Sequence, residues 1–490
     1  MNKRPYHWSD WKDLIPGVEK IVAEMNRTPI ISVGITPYTR IVPSFFLDNY
    51  SIYTIKRSTD VEVMEAVTAM HVLEDRHPDV AKKVHGTGYL IGNYAFQNFL
   101  KSRRMPPSLM FYTMTDKIVQ DLDKLGIPWI GNDPKTFKDV KFKGPFRELV
   151  KKLGLPSLPS KTHARDAFVA APFESLWEEN QGPFVVQRAD KETGGNEGTF
   201  FVHTPEDWDR CISILTADTT FNQVVVTPFI EGQSTSMLGC VMPQGTLSGP
   251  LQLQFIDVPE SLHGVSPDGI FFGNDIGFRD WGDDIEEQAQ KVVEAIGEHL
   301  RKSGYKGVFG IDLLYDKKRN KIFPNECNPR FTGSLLLYSL MLLEAGVPPM
   351  EFFHLMAHLN IQADFDFGAV NKALKSRIPC AHIAFSPKGI PLMKLPLLAG
   401  VYSYDSARET LEYKGPGTSL HDLTNRKEFL LIDTVPSMNE AIEQNVPRLF
   451  KFIFKRSIAE SSYRIDKEAA FLVDRFASAL EAAYKDSSTR

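Results

Sequence analysis

Polar side chains that suit metal and phosphate chemistry cluster in a segment with the pattern of a β-hairpin. Apolar and β-branched residues lead into the polar turn 317–320 and out of it again, which is typical of two strands joined by a turn. Folding the chain about this turn places Asp312 opposite Glu326. Like charges in such a cross-strand pair repel. A divalent cation between them would remove the conflict, because hard cations prefer carboxylate and carbonyl oxygens.

Two further polar residues continue the same face of the second strand. Asn328 lies two residues after Glu326, so the two-residue period of a strand points its amide to the same side. Arg330 follows with a planar guanidinium that suits phosphate or carboxylate. Intervening apolar residues indicate a partly buried face, where unpaired charges are costly. The set predicts a magnesium–nucleotide site, whereas Asp316 and the turn residues are expected to be ordinary surface charges.

Length and composition limit the class of protein. The 490 residues are enough for roughly three domains, and 42% hydrophobic with 24% charged residues is typical of a soluble globular protein. The net charge of −5 comes without a polybasic run, so neither nucleic acid nor a membrane is an indicated partner. Dispersed cysteines and the absence of a secretory-type start favour a reducing, cytoplasmic location. The most apolar run, 335–343, is too short to span a bilayer.

The order of periodic segments predicts the architecture. Up to about residue 134, strand-like and helix-like segments alternate, which favours a doubly wound parallel sheet. The following segments predict a helix at 145–153, a hairpin of strands 184–187 and 199–202, a strand at 224–230 and an amphipathic helix at 284–303. After about residue 370 the pattern indicates short strands and a last pair of helices.

A glycine-rich segment, 193–199, lies between the two strands of the predicted hairpin. Glycines let the backbone approach a ligand closely, so that successive amides can point at phosphate oxygens. Hairpin loops often contain glycine for conformational reasons alone. Taken by itself, this segment is equally consistent with an ordinary turn.

The order of these features along the chain resembles the order found in the ATP-grasp superfamily. Lys143 precedes a helix, the glycine-rich hairpin follows, a strand ends at 227–231, and the metal-type hairpin comes last. The resemblance covers roughly residues 126–345. Its most specific part is 325–330, which is similar to the E-x-N-x-R signature of biotin carboxylase-like and amino-acid ligase members.

This resemblance implies an α/β fold with four parts. They are an N-terminal pre-ATP-grasp domain with a doubly wound parallel sheet at 1–134, a lid subdomain with the glycine-rich loop at 135–232, a metal and substrate subdomain at 233–369, and an extra C-terminal α+β domain at 370–490.

The resemblance also assigns roles to single residues, and it implies ATP and Mg²⁺, with Mn²⁺ as a substitute, as cofactors. The metal ligands are Asp312, Glu326 and Asn328, and Arg330 is the catalytic residue facing the reacting carboxylate or phosphoryl group. The residues assigned to ATP are Lys143, Gln187, Gly194, Gly195, Gly198, Thr199, Thr227, Phe229, Ile230, Glu231 and Leu314.

Two departures from the family pattern concern the nucleotide. Gln187 stands where the family usually has a second lysine or arginine, and Arg188 or Lys191 are candidates to replace that charge. The ribose-binding glutamate has no certain match, since Gln233 or Ser234 falls at its place and Glu231 is near.

The function implied is an ATP-dependent carboxylate–amine ligase that forms an amide or peptide bond through an acyl phosphate. Its substrates would be a small-molecule carboxylate and an amine, and a homodimer would agree with many relatives. The polar loop 258–280, with His263, Asn274 and Asp275, is predicted to shape the acceptor pocket, although an ordinary exposed loop is as consistent with it.

Two alternatives remain open. A bicarbonate-dependent carboxylase would need a biotin partner or a purine acceptor, and the chain has no Met-Lys-Met biotin-carrier tripeptide. A non-catalytic ATP-binding module is favoured by the uncharged Gln187.

Overall fold

The structure, a computed structural model, describes residues 4–191, 198–262, 269–385, 397–405, 408, 410–437 and 449–476. The N-terminal unit is a parallel sheet with strand order β3-β2-β1-β4-β5. Its strands are β1 (Ile30–Gly34), β2 (Tyr50–Thr54), β3 (Ala69–Val72), β4 (Ser108–Phe111) and β5 (Trp129–Ile130). Its helices are α1 (Val18–Met25), α2 (Thr59–Met64), α3 (Leu73–Arg76), α4 (Pro78–Ala81), α5 (Thr87–Ile91), α6 (Tyr94–Lys101) and α7 (Asp116–Leu125).

Both faces of this sheet are buried, as its sequence pattern predicts. Ile30 and Met110 belong to one hydrophobic cluster, whereas Ile31 and Leu109 belong to another. Alternate residues of a strand point to opposite faces, so the near-continuous apolar strands are explained by cover on both sides. The strand order reverses between β1 and β4, and in open α/β sheets ligands usually bind beyond the carboxyl ends of the strands at this point.

A smaller antiparallel sheet, the lid sheet, follows with the order β6-β9-β7-β8. Its strands are β6 (Lys161–Ala164), β7 (Phe184–Arg188), β8 (Thr199–Val202) and β9 (Gln223–Pro228). The helices of this part are α8 (Lys138–Lys141), α9 (Lys143–Lys152), α10 (Arg165–Val169), α11 (Phe173–Asn180) and α12 (Pro205–Ala217). It has its own hydrophobic core, which includes Phe184, Trp208 and Val226.

Except for the β21–β22 ribbon, the remaining strands form one large sheet, the central sheet, with the order β15-β14-β10-β12-β13-β16-β20-β19-β17-β18, and β11 pairs with β10. Its first half has β10 (Gln233–Met242), β11 (Gly245–Ser248), β12 (Gln252–Ile256), β13 (Phe271–Asp275), β14 (Gly307–Asp316) and β15 (Lys321–Asn328). The helices are α13 (Pro259–Leu262), α14 (Asp283–Lys302), α15 (Leu335–Glu344), α16 (Met350–His358) and α17 (Phe367–Ala373). The later strands are β16 (Ala381–Phe385), β17 (Gly400–Asp405), β18 (Thr410–Gly415), β19 (Glu428–Ile432), β20 (Phe450–Phe454), β21 (Ala459–Ser461) and β22 (Arg464–Ile465), of which the last two form a separate ribbon.

The structure differs from the sequence-based expectation at the C-terminal boundary. Strand β16 pairs with β13, with Asn274 opposite His382, so much of the segment after residue 370 extends the central sheet. The predicted loop 258–280 was wrong in part, because β13 lies within it. The polar Asn274 and Asp275 did not indicate a strand, yet both side chains are fully buried in β13.

Among the described residues, no helix is both long and apolar enough to cross a membrane. The apolar helix α15 is instead buried on all sides within the main hydrophobic core.

Candidate active site

The hairpin of β14 and β15 has the predicted pairing of Asp312 with Glu326, but nearer the turn its register is shifted by one residue, with Leu313 opposite Pro324. The turn side differs from the expectation, since Asp316 is only 2% exposed and accepts a hydrogen bond from Arg319 Nη1 at 2.7 Å. Asp316 is therefore a buried anchor of the turn rather than a surface charge.

The surroundings of Asp312 raise the pKa of its carboxyl group although two amides donate hydrogen bonds to it. Gln254 Nε2 donates to Asp312 Oδ1 at 2.8 Å, and Asn328 Nδ2 donates to Oδ2 at 2.9 Å. Burial and the charge of Glu326 outweigh these bonds and raise the pKa of Asp312 to about 6. Two facing carboxylates that resist simultaneous ionisation are suited to a cation that neutralises both.

Lys143, the first residue of α9, reaches this pair from the other side. Its Nζ lies 2.6 Å from Glu326 Oε2, and its side chain is only 12% exposed. The ammonium therefore compensates one of the two carboxylates. Both groups line the same cavity. The structure therefore brings together Lys143 and Glu326, which the sequence analysis assigned to ATP and to the metal ion.

Arg330 continues the site toward the N-terminal sheet. Its Nη2 donates to Asn328 Oδ1 at 2.9 Å, and its guanidinium carbon lies 5.8 Å from the centre of the Tyr112 ring. The next residue, Phe331, donates its amide to Tyr112 O at 3.2 Å. Arg330 is therefore held between the metal-type hairpin and the carboxyl end of β4.

These groups line a cavity of about 380 Å³ between the lid sheet and the central sheet. This size is within the range of small-molecule sites. The cavity brings together most of the predicted site residues: Lys143, Gln187, Thr199, Thr227, Phe229, Ile230, Asn274, Asp312, Leu314, Glu326, Asn328 and Arg330. Residues 227–230, the predicted hinge between the lid sheet and the central sheet, form one edge of the cavity, where the Phe229 amide donates to Pro183 O at 2.8 Å.

Several predicted residues lie elsewhere. Glu231 is exposed and its carboxylate pairs with Lys318 at 2.8 Å, on the outer side of the hinge. Gly198 accepts a hydrogen bond from the Arg188 amide through its carbonyl and does not line the cavity. Gly194, Gly195 and His263 lie outside the described residues.

The structure corrects the prediction that Asp275 binds substrate, because its buried carboxylate has a structural role. It accepts hydrogen bonds from Ser457 Oγ and from the amides of Phe278, Ile458 and Ala459. Neighbouring strand residues point to opposite faces, so Asn274 lines the cavity while Asp275 joins β13 to the C-terminal segment. The assignment of Asp275 to substrate binding was wrong.

The uncharged Gln187 is not replaced by either suggested neighbour. Gln187 Nε2 donates to Thr199 Oγ1 at 3.2 Å inside the cavity. Arg188 points to the opposite face of β7 and pairs with Asp218 at 3.0 Å, and Lys191 pairs with the same carboxylate at 2.9 Å.

Arg147 is a cavity residue that the sequence analysis missed. It lies one helical turn after Lys143, donates to Pro324 O at 2.8 Å and to Asn325 Oδ1 at 2.6 Å, and is 3% exposed. Burial lowers its pKa to about 10. The four-residue spacing from Lys143 was the available signal, because residues at i and i+4 share a helix face.

The donor set fits a cation that arrives with phosphate oxygens. Among the described residues, no three histidine, cysteine, aspartate or glutamate side chains form a cluster that could hold a metal. Asp312, Glu326 and Asn328 supply two carboxylates and one amide. Mg²⁺ is commonly bound by one or two carboxylates together with substrate phosphates and water. The residues present therefore fit magnesium bound jointly with a nucleotide.

A comparison with family models matches one part of the chain. Residues 177–334 match the family model described as an ATP-grasp domain. Together with the fold, this match shows that the chain contains an ATP-grasp domain, as the hairpin motif predicted. No curated protein sequence matches the chain.

Solved structures resemble the chain over most of its length. N5-carboxyaminoimidazole synthase from Aspergillus clavatus, in complex with ADP and 5-aminoimidazole ribonucleotide, is 11% identical with a TM-score of 0.51, covering 94% of this chain and 100% of that chain. Biotin carboxylase from Campylobacter jejuni is 10% identical with a TM-score of 0.59, covering 88% of each chain. The biotin carboxylase domain of Hydrogenobacter thermophilus 2-oxoglutarate carboxylase, in complex with MgADP and bicarbonate, is 11% identical with a TM-score of 0.56, covering 87% of this chain and 85% of that chain. The chain has the ATP-grasp fold.

Proposed function

We propose that the protein is an ADP-forming, ATP-dependent carboxylate–amine ligase. The observation that carries the proposal is the facing pair Asp312 and Glu326, with Lys143 and Arg330 beside it, in a cavity between two sheets. ATP would phosphorylate a substrate carboxylate. An amine would then displace phosphate from the acyl phosphate to form an amide.

The lid and hinge would hold the nucleotide. The amide of Ile230 has no hydrogen-bond partner among the described residues, unlike that of Phe229, so it is available to the edge of a base. Leu314 and Phe229 line the same cavity and offer apolar contact to a base. Lys143 would exchange Glu326 for a phosphate oxygen, which a point charge on a flexible stem can do.

Charge compensation and alignment would supply most of the rate enhancement, as is general for phosphoryl transfer. Asp312, Glu326 and Asn328 would hold Mg²⁺ or Mn²⁺. When bound, the ion neutralises phosphate charge as a Lewis acid. Arg330 stands at the end of the cavity near Tyr112, where its guanidinium would hold an oxygen of the reacting carboxyl or phosphoryl group.

Release of ADP in the presence of paired substrates tests this proposal. Amino acids and other small carboxylates would be combined with amines, and ADP release measured with Mg²⁺ in wild-type protein and in Asp312→Asn. Release that requires both a carboxylate and an amine, and that the substitution abolishes, supports the ligase. ATP binding without release under any condition contradicts it and favours a non-catalytic module.

A second candidate is a bicarbonate-dependent carboxylase. The resembling structures include two biotin carboxylases, one of them bound to bicarbonate. ADP release that depends on bicarbonate, and that no other carboxylate supports, would favour this reaction over amide formation.

A further inference from the structure

Arg40 and Arg330 both contact the ring of Tyr112, beyond the carboxyl end of β4. The guanidinium carbon of Arg40 lies 5.9 Å from the ring centre, and that of Arg330 lies 5.8 Å from it. Their separation is therefore at most about 12 Å, within the length of a small substrate. Tyr112 follows β4 directly and also lines the nucleotide cavity.

The position of Arg40 is the one at which open α/β sheets usually bind ligands. Such ligands lie beyond the carboxyl ends of strands where the strand order reverses. Here the reversal falls between β1 and β4. The Arg40 guanidinium lies against Gly34, the last residue of β1, and a Cβ added there would meet Arg40 Nη2 at 1.9 Å. Arg40 therefore bridges the ends of these two strands.

The charge of Arg40 has no acidic partner among the described residues. Its Nη1 donates to Thr36 O and to Thr39 Oγ1, its Nε has no partner, and the residue is 7% exposed. Asp433 acts on it through space but forms its own ion pair with Lys451 at 2.7 Å. A buried guanidinium without a counter-charge is costly, and an anionic ligand would remove that cost.

We propose that Arg40, with Tyr112 and Arg330, forms a subsite for an oxyanion, carboxylate or phosphate, on the amine substrate. The subsite rests on the proposed ligase function and specifies its substrate: the acceptor is an anionic amine rather than a neutral one. Arg330 acts at the reacting group, while Arg40 holds the far end of the acceptor. Two charges at a limited separation would select acceptors of matching length.

The test compares amines that differ only in charge. Amino acids are paired with their primary amides, and 2-aminoethyl phosphate with ethanolamine, in ADP-release assays at saturating ATP and carboxylate. Wild-type protein is expected to prefer the anionic member of a pair. Preference within the carboxylate pairs or within the phosphate pair identifies the oxyanion. Equal use of charged and neutral amines overturns the subsite and leaves the ligase intact.

Substitutions at Arg40 test whether this residue causes the preference for anionic amines. Arg40→Gln is expected to raise KM for the anionic amine by about 10- to 100-fold, as for loss of a hydrogen bond to a charged group, with KM for ATP and for the neutral amine unchanged. Arg103→Gln is the matched control, since Arg103 is exposed and contacts the Phe99 ring in the same unit at 5.4 Å. An equal change for charged and neutral amines overturns the proposal.

Gly34→Ala and Arg40→Lys keep the test decisive if Arg40→Gln does not fold. The alanine displaces the guanidinium without removing its charge, so it is expected to raise the same KM. If no amine supports ADP release, the ligase function fails, and calorimetric titration with inorganic phosphate then tests the subsite alone. Binding by wild-type protein that Arg40→Gln loses supports the subsite, and the same or no binding in both overturns it.

Discussion

Lys143 and Glu326 form an ion pair of 2.6 Å across the base of the cavity, although their predicted partners are different: phosphate for the lysine and a metal ion for the glutamate. The pair therefore blocks both sites in the ligand-free protein. Mg²⁺ and ATP would compete with it together, because each frees the residue that the other needs. Nucleotide and metal binding are expected to be cooperative for this reason.

Lys143→Met removes the ammonium group that pairs with Glu326 and that is predicted to bind phosphate. KM for ATP is expected to rise by about 10- to 100-fold, since a charge-assisted bond to phosphate is lost. Mn²⁺ binding without nucleotide is expected to tighten, since Glu326 is released. Calorimetry with Mn²⁺ and steady-state kinetics measure the two effects. Lys138→Met, an exposed lysine on the same segment, should change neither, and unaltered Mn²⁺ affinity in Lys143→Met would contradict the blocking role.

Gln187→Lys would supply the second cation that the family usually has. The side chain faces the cavity next to Thr199, so a lysine there is expected to lower KM for ATP by about 5- to 10-fold through attraction to phosphate. Steady-state kinetics with varied ATP measure this effect. Gln223→Lys adds the same charge at an exposed position of the lid sheet. A similar gain in that control would assign the effect to net charge instead of the site.

Asp312→Asn should change how stability depends on pH in ligand-free protein. The pKa of Asp312 is raised to about 6 by burial and by Glu326, from a value near 4 in the unfolded chain. The native state therefore holds the proton more tightly, and wild-type protein loses stability relative to the variant as pH rises from about 4 to 6.

Thermal unfolding with a chelator at pH 4 and pH 8 measures this difference. The variant is expected to match wild type at pH 4 and to be more stable by about 1–3 kcal/mol at pH 8. Asp364→Asn, at an exposed position, should show no such difference. A variant less stable than wild type at pH 8 would show that the Asp312 carboxylate stabilises the hairpin in its charged form.

Asp275→Asn tests the corrected role of that residue. Its buried carboxylate accepts hydrogen bonds from three backbone amides and one hydroxyl, so the change is expected to cost about 1–3 kcal/mol of stability by leaving a buried donor unsatisfied. KM for each substrate should stay within about twofold in the folded enzyme, in contrast to Asn274→Ala, which alters the cavity wall. Chemical denaturation and kinetics check both. Unchanged stability with a raised substrate KM would restore the original assignment.

Local patterns were sufficient where neighbours in sequence are also neighbours in space. A short turn and a two-residue period predicted the pairing of Asp312 with Glu326, and the structure has this pair, with a one-residue register shift between it and the turn that the sequence did not reveal. The same period separates the roles of Asn274 and Asp275, but the sequence did not show that they belong to a strand. Polar residues there are satisfied by partners far along the chain, which no local pattern reveals.

The amino-acid sequence was enough to predict the chemistry of the hairpin and its resemblance to ATP-grasp proteins, because turn geometry and side-chain alternation are local properties. The distant cationic side chains that join the hairpin became known only from the three-dimensional packing. Lys143 meets Glu326 across 183 positions and Arg147 meets Asn325 across 178, whereas Arg188 is turned to Asp218. These long-range contacts depend on how the N-terminal sheet, the lid sheet and the central sheet pack against one another, and this packing depends on the whole chain.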